Sequence, residues 1–333
     1  MKEKILSIQS PVGVPIELYK FSWGKANPGS GTYSIVSGLH GNQLNGIYVN
    51  TRLIRFLNDI EQGREPSFEI NGRVQIFPAV NVNALASGDR LWNYDEMDMD
   101  LAFPGNKLGE VGERIAEAIL RHTQETQYGV LLTNGREFYE DVPHIQCHRP
   151  DGPIKKLARS LAVEFARDMD ESPASRLKLC SQWLDKEIPA LILSAGKPGN
   201  IDLALCDLLF NSVIGSLVTN GILSGKNYSA KKTEVRFYGP RDELRVRAKC
   251  SGLFIPQVKA GTALSMGQKI GETQDVYSGG ILEEFLSPGN GYLVTLRSYP
   301  VIYAREPVAV ILNSDQRGIW SRIRERLRLF RIY

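Results

Sequence analysis

The stretch that decides the fold is SIVSGLHGNQLNG, residues 34–46. Its first half is a run of apolar and small residues that predicts a buried strand, and Gly38 opens the turn that follows. Residues 44–60 then repeat apolar side chains at helical spacing. A strand that passes through a glycine turn into a helix is typical of an α/β sheet. In such sheets, ligands bind beyond the carboxyl ends of the strands.

The same alternation continues along the first two thirds of the chain. Strand-like runs alternate with helical patterns at 74–80, 108–124, 128–132, 154–168, 190–193 and 200–221. After residue 226 the chain changes to short β-like runs separated by Gly, Pro, Asn and Asp. The sequence therefore predicts an α/β domain with a mixed sheet flanked by helices over 1–226, a smaller β-rich domain over 227–312 and a terminal amphipathic helix over 313–333.

Composition limits the classes of function that this chain can have. Its 333 residues include 40 Lys or Arg and 37 Asp or Glu, and 42% are hydrophobic, as in ordinary globular proteins. No apolar run is long enough to predict a transmembrane helix, and the N-terminus lacks the apolar core of a signal peptide. The four cysteines form no CxxC pair, which favours reduced thiols and a cytoplasmic protein.

Positive charge is concentrated at the C-terminus. Residues 317–331 contain six arginines and one glutamate. This segment therefore carries a charge of 6 − 1 = +5, whereas the whole chain has a net charge of +3. The rest of the chain is close to neutral, so no nucleic-acid partner is expected. The apolar stripe of this segment consists of Ile319, Ile323, Leu327 and Phe330, beside Trp320. Such a helix over 315–333 predicts contact with a protein partner or an anionic membrane surface, or packing on the chain's own body. A homo-oligomer is compatible with the sequence, and the oligomeric state stays open.

Four short motifs lie in or near the predicted strands. They are GLHGNQLNG at 38–46, DMDLAFPG at 98–105, YGVLLTNG at 128–135 and LILSAG at 191–196. Together they resemble the succinylglutamate desuccinylase/aspartoacylase family, zinc-dependent deacylases related to the M14 carboxypeptidases. The resemblance covers roughly residues 30–305. It implies an M14 carboxypeptidase-like fold and a crevice for a small-molecule or peptide-like ligand.

The resemblance also implies a role for individual positions, and several of them carry an unexpected residue. His40 matches the family's first zinc ligand, whereas Gln43 and Thr133 stand where the second and third ligands, a Glu and a His, are found. Arg90 matches the arginine that polarises the scissile carbonyl. Ser194 stands where the family has the Glu that acts as the general base.

The substrate-binding stretch has changed as well. Asp98 matches the family motif, but Asp100 replaces an Asn and Leu101 replaces an Arg. Loss of the arginine removes a bidentate clamp for a carboxylate, which leaves Arg90, Asp98 and Asp100 as the candidates for substrate binding. The acids between 89 and 100 also allow an oxygen-ligated cation such as Mg²⁺, as an alternative to a solvated acidic loop.

These replacements bear directly on the chemistry. Catalytic zinc usually has three protein ligands, and a serine cannot accept a proton at neutral pH as a general base does. The sequence therefore predicts a divergent family member with a degenerate zinc site, a pseudoenzyme candidate that binds a ligand or partner through the crevice. Two alternatives stay open. One is an amide hydrolase or acyl-transfer enzyme with a rearranged site, and the other is a complex subunit or membrane-surface protein that uses the tail.

Substitute zinc ligands are available at one place in the sequence, PHIQCH at 143–148. If the segment is helical, His144 and His148 share a face at the i, i+4 spacing of some zinc sites. If it is extended, His144, Gln146 and His148 share one side of a strand. A surface loop or strand without metal is the other interpretation of this segment.

Overall fold

The structure is a computed structural model that describes residues 1–11, 13–26, 31–169 and 171–314. The chain divides into two compact units. The first contains residues 1–134 and 143–237, and the second contains residues 135–142 and those from Tyr238 onward. The tail helix expected from the sequence lies outside the described residues from position 315 onward. No helix among the described residues combines the length and apolarity needed to cross a bilayer.

The first unit alternates strands and helices along the chain. Its strands up to residue 134 are β1 (Lys2–Gln9), β2 (Pro15–Trp23), β3 (Thr32–Ser37), β4 (Phe68–Ile70), β5 (Arg73–Phe77) and β6 (Tyr128–Thr133). The strands that follow are β7 (Tyr139–Cys147), β8 (Phe165–Asp168), β9 (Ala190–Gly196), β10 (Leu223–Gly225) and β11 (Arg236–Tyr238). Residues 139–142 of β7 and Tyr238 of β11 belong to the second unit. The helices are α1 (Leu44–Glu61), α2 (Val82–Ser87), α3 (Val111–His122), α4 (Gly152–Ser160), α5 (Leu179–Leu184) and α6 (Leu203–Thr219).

A mixed sheet in the order β1-β2-β5-β3-β6-β9 lies at the centre of this unit. β3 pairs in parallel with β5 and with β6, and β6 pairs in parallel with β9, while β1 and β2 add an antiparallel edge. In the sheet, β5 lies on one side of β3, and β6, which comes later in the chain, lies on the other side. The strand order therefore reverses at β3, and open α/β sheets bind ligands at the carboxyl ends of strands at such a point.

Apolar side chains cover both faces of this sheet. Leu53 of α1 and Leu209 of α6 pack in one cluster, and Ile119 of α3 and Trp183 of α5 pack in the other. All four side chains are fully buried, and burying a side chain of this size stabilises the fold by roughly 1.5–3 kcal/mol. The layered arrangement confirms the predicted fold class of a mixed sheet flanked by helices.

One predicted helix is wrong in its second half. The sequence predicts a helix over 154–168, but α4 ends at Ser160 and strand β8 follows. Ala162 has a φ of 52°, a left-handed conformation that stops the helix. Val163, Phe165 and Ala166 are buried, and a short apolar run of this kind fits a strand as well as a helix. The 143–148 segment belongs to β7 as far as Cys147, so its helical alternative is also wrong.

The second unit consists of β-strands joined by short turns. Its strands are β12 (Glu243–Arg247), β13 (Gly252–Pro256), β14 (Ala263–Leu264), β15 (Lys269–Gln274), β16 (Ile281–Leu286), β17 (Gly291–Arg297), β18 (Val301–Ile302) and β19 (Pro307–Asn313). β16, β15, β13 and β18 form a four-stranded sheet, and the rings of Phe254 and Phe285 meet edge to face in the core.

The boundary of the second unit differs from the one that the sequence indicates. The sequence places the boundary after residue 226, whereas the compact unit begins at Tyr238 and includes residues 135–142. The physical reason is strand pairing, because Tyr139, Glu140 and Asp141 pair with β17. Pairing between strands that are far apart in sequence leaves no local pattern to detect.

Candidate functional site

Two glycines shape the loop that carries His40. Gly38 directly follows β3 and has a φ of 69°, a conformation that favours glycine. Gly41 packs so closely on α2 that a Cβ atom at this position would lie 2.1 Å from the carbonyl carbon of Ala84. The backbone N–H of Gly41 donates to the carbonyl of Arg90 at 3.3 Å. The glycines therefore hold His40 against the segment that contains Arg90.

A buried asparagine in α1 ties the ends of β6 and β9 to the start of α6. The backbone N–H of Asn45 donates to Oδ1 of Asn134, after β6, at 3.1 Å. Its side-chain amide donates to the carbonyl of Ala195 in β9 at 3.0 Å, and its Oδ1 accepts the backbone N–H of Asp202 at 2.9 Å. Asn45 is fully buried, so these bonds fix the ends of β6 and β9 relative to α1. Sequence reasoning missed Asn45 and Asn134, although a polar residue on the inner face of α1 is the signal that could have found the first.

His40, Asp98 and Arg90 form one polar cluster. Nε2 of His40 lies 2.6 Å from Oδ1 of Asp98, and the Arg90 guanidinium donates to Oδ2 of Asp98 at 2.5 Å. The same guanidinium lies 3.3 Å from Nε2 of His40. Burial by itself raises the pKa of Asp98, but the hydrogen bond from His40 and the charges of His40 and Arg90 outweigh burial and hold this pKa well below its usual range. Asp98 is therefore a carboxylate at neutral pH.

A second ion pair continues from this cluster. The backbone N–H of Asp100 donates to Oδ1 of Asp98 at 3.0 Å, and Oδ2 of Asp100 lies 2.9 Å from Nζ of Lys178. Burial lowers the pKa of Lys178, but the charges of Asp100 and Asp98 and the hydrogen bond to Asp100 outweigh it, so the pKa is raised. Sequence reasoning missed Lys178, since nothing in its local sequence marks it as a site residue.

The acids between 89 and 100 do not form a joint cation site. Asp98 is paired with Arg90, and Asp100 is paired with Lys178. A carboxylate that is already neutralised by a cation is a poor ligand for a second one. Within the ranges that the structure describes, no group of three or more His, Cys, Asp or Glu side chains is arranged to hold a metal ion.

Thr133 and Ser194 lie opposite each other in the paired strands β6 and β9. The Thr133 hydroxyl donates to the carbonyl of Asn134 at 3.2 Å. Ser194 is fully buried, and its hydroxyl has no hydrogen-bond partner among the described residues. An unpartnered buried hydroxyl costs roughly 1–3 kcal/mol, so this position is not optimised for stability.

Alternation along β9 shows which face of the sheet Ser194 occupies. Side chains two residues apart in a strand share a face, so Ser194 lies on the same side as Ile192. Ile192 belongs to the cluster that contains Met99 and Leu179, the chain neighbours of Asp100 and Lys178. The family position of the general base therefore lies on the face of the sheet that also carries the Asp100–Lys178 pair.

The side chains at the three zinc positions of the family do not fit a catalytic zinc ion. Such sites use His, Glu, Asp or Cys side chains, and His40 alone among these three positions is of that kind. Gln43 precedes α1 and Thr133 ends β6, and each offers a neutral oxygen. The guanidinium 3.3 Å from Nε2 of His40 also adds a positive charge that repels a dication.

The two histidines proposed as substitute ligands have other partners. Nε2 of His144, which is fully buried, lies 3.0 Å from the amide nitrogen of Gln146 and 3.5 Å from the guanidinium of Arg167. Nδ1 of His148 lies 3.1 Å from the carbonyl of Met169. The guanidinium beside His144 disfavours a metal ion there, and the described residues supply no third ligand to the pair.

Comparison with known proteins points to the same family as the motifs do. Residues 30–176 match the family model of the succinylglutamate desuccinylase/aspartoacylase catalytic domain. The chain is similar to N-alpha-acetyl-L-2,4-diaminobutyric acid deacetylase of Halomonas elongata, with 24% identity over 289 residues that cover 84% of this chain and 81% of the relative.

Two solved structures share the fold. One is the succinylglutamate desuccinylase/aspartoacylase from Rhodobacter sphaeroides, with a TM-score of 0.78, 18% identity and coverage of 94% of this chain and 95% of that one. The other is the product-bound ectoine utilization protein EutE (DoeB) from Ruegeria pomeroyi, with a TM-score of 0.78, 17% identity and the same coverage of 94% and 95%. Fold and matched motifs define an α/β protein of the amide-hydrolase kind. The family match falls on residues 30–176, which form a domain of the succinylglutamate desuccinylase/aspartoacylase catalytic type, as the motifs indicate.

Proposed function

We propose that this protein binds a small amide with a free carboxylate, of the N-acyl amino acid class, in the crevice at the carboxyl ends of β3, β6 and β9. We propose further that it is impaired in the zinc-dependent hydrolysis of such amides. The observation that carries the proposal is the set of residues at the reactive positions, Gln43, Thr133 and Ser194. The ligand class comes from the family and from the name of the Halomonas elongata relative.

Loss of hydrolysis follows from two independent changes. Bound zinc lowers the pKa of its water to about 7 and supplies the nucleophile in metal-dependent hydrolases, and His40 with two neutral oxygens is a poor site for it. General-base catalysis contributes roughly 10²- to 10⁴-fold. Ser194 cannot supply this contribution, because its hydroxyl stays protonated at neutral pH and is fully buried.

Ligand binding is supported by the polar cluster that remains. Asp98 holds the guanidinium of Arg90 in place through a short hydrogen bond, and the Arg90 side chain is 31% exposed. A guanidinium has five N–H donors, so one bond to Asp98 leaves donors for the carbonyl of a ligand. A charged group that is already oriented loses little entropy when the ligand binds.

A rearranged amide hydrolase or acyl-transfer enzyme is the second candidate. The observation that favours it is the pair of His40 and Asp98, at 2.6 Å. A histidine oriented by a carboxylate is an arrangement that general bases use. Contact of residues 315–333 with a protein partner or an anionic membrane remains a separate prediction from the sequence.

The proposed function predicts binding without turnover. We expect N-acetyl-L-2,4-diaminobutyrate and N-succinyl-L-glutamate to give saturable calorimetric titrations, with no release of free amine even after zinc is added. Arg90→Ala should weaken binding by about tenfold or more, the usual effect of losing a charged hydrogen bond. Arg64→Ala is the matched control, because Arg64 pairs with Asp59 on the surface. Zinc-dependent release of amine that His40→Ala abolishes would contradict the proposal and favour the hydrolase.

A further inference from the structure

We infer that Lys178 is the specificity-determining residue that receives the carboxylate of the ligand, in place of the arginine that Leu101 has replaced. The inference rests on the proposed function, because it concerns the same crevice. Leu101 is 37% exposed and has no polar atom in its side chain. A carboxylate brought to this part of the crevice therefore needs a cation from another segment.

Lys178 reaches this place from a segment far along the chain. The backbone N–H of Phe103 donates to the carbonyl of Leu177 at 3.1 Å, which holds the start of α5 against the turn that contains Leu101. Nζ of Lys178 lies 2.9 Å from Oδ2 of Asp100, the residue directly before Leu101. The ammonium group thus lies beside the position where the family motif carries its arginine.

The hydrogen-bonding capacity of the pair is not used up. An ammonium group has three donors, and the structure directs one of them to Asp100. The Lys178 side chain is 34% exposed, so a ligand can approach it from solvent. Oδ1 of Asp100 is buried without a partner among the described residues. The pair can therefore accept a ligand that brings both a carboxylate and an N–H donor.

The order of charges explains how one ligand would lie in the crevice. Asp98 and Asp100 are joined by a backbone hydrogen bond, and Asp98 pairs with Arg90 while Asp100 pairs with Lys178. The two carboxylates raise the pKa of Lys178 against the effect of burial, so the ammonium stays charged at neutral pH. An N-acyl amino acid has an acyl carbonyl at one end for Arg90 and a carboxylate at the other for Lys178.

The test compares N-acetyl-L-2,4-diaminobutyrate with its carboxamide, which lacks the negative charge, by calorimetry on the full chain. The wild type should prefer the carboxylate by about tenfold or more. Lys178→Ala and Lys178→Met should lose this preference while binding of the carboxamide is unchanged, and Lys178→Arg should retain it. Lys186→Ala, an exposed lysine just after α5, is the matched control. Thermal unfolding of each variant identifies loss of fold.

Each outcome decides between the claims. If the wild type binds neither compound, the proposed function and the role of Lys178 both fail. If the wild type prefers the carboxylate and Lys178→Met keeps that preference, only the role of Lys178 is overturned. If Lys178 had a purely structural role, its replacement would weaken the binding of both compounds equally. That result would also overturn the inference.

Discussion

Replacing Gly41 with alanine is expected to destabilise the protein by about 3 kcal/mol, the upper end of the usual range for overpacking, and to abolish ligand binding. The added Cβ would lie 2.1 Å from the carbonyl carbon and 2.3 Å from the carbonyl oxygen of Ala84. These are backbone atoms, so no side-chain rotation relieves the clash. Helix α2 must therefore move away from the His40 loop. This movement disturbs the hydrogen bond from Gly41 to Arg90. Urea denaturation and calorimetric titration measure the two effects.

Gly152→Ala is the matched control for this prediction. Gly152 begins α4, and no atom lies within 4 Å of the position that its Cβ would take. Alanine is the better helix former, so this variant should be as stable as the wild type or slightly more stable. If Gly41→Ala unfolds at the same urea concentration as Gly152→Ala, the loop and α2 do not pack as described.

Replacing Asp98 with asparagine is expected to lower the free energy of unfolding by about 3 kcal/mol near pH 7. The change leaves the guanidinium of Arg90 without its carboxylate in a site where the Asp98 side chain is only 21% exposed. The pKa of Asp98 is lower in the folded state than in the unfolded chain. Its stabilising effect is therefore complete above the unfolded pKa of about 4 and is lost as the pH falls towards the folded pKa.

The pH dependence separates this effect from a general loss of packing. The difference in unfolding free energy between wild type and Asp98→Asn should be large at neutral pH and should shrink below about pH 4. Asp207→Asn is the control, because Asp207 pairs with Arg52 at the surface, with 61% of its side chain exposed. That variant should lose less than about 1 kcal/mol. A difference for Asp98→Asn that stays constant across this pH range contradicts the assigned ion pair.

Much of the fold could be predicted from the sequence, because the decisive signals are local. The strand, turn and helix of residues 34–60 follow from apolar spacing and from Gly38, and the structure places β3 and α1 there. Prediction failed where the signal is not local. The apolar run at 163–166 fits either a helix or a strand, and its pairing with β7 decides the outcome.

The residues of the candidate site also differ in whether the local sequence marks them. His40, Arg90 and Asp98 could be predicted because they lie in or near recognisable motifs, and the structure brings them within hydrogen-bonding distance of one another. Lys178 could not be predicted, because only the folded chain places it beside Asp100. The role of Asn45 could not be predicted for a related reason, because its partners lie in three separate segments of the chain.

The central claim is that the crevice binds its ligand without a catalytic zinc ion. The most direct test is the zinc content of the untagged protein by plasma mass spectrometry, before and after incubation with zinc and removal of the excess, with His40→Ala as the control. The account predicts far less than one zinc per chain and no difference between wild type and His40→Ala. About one zinc per chain in the wild type, as in catalytic zinc sites generally, and its loss in His40→Ala would contradict the account.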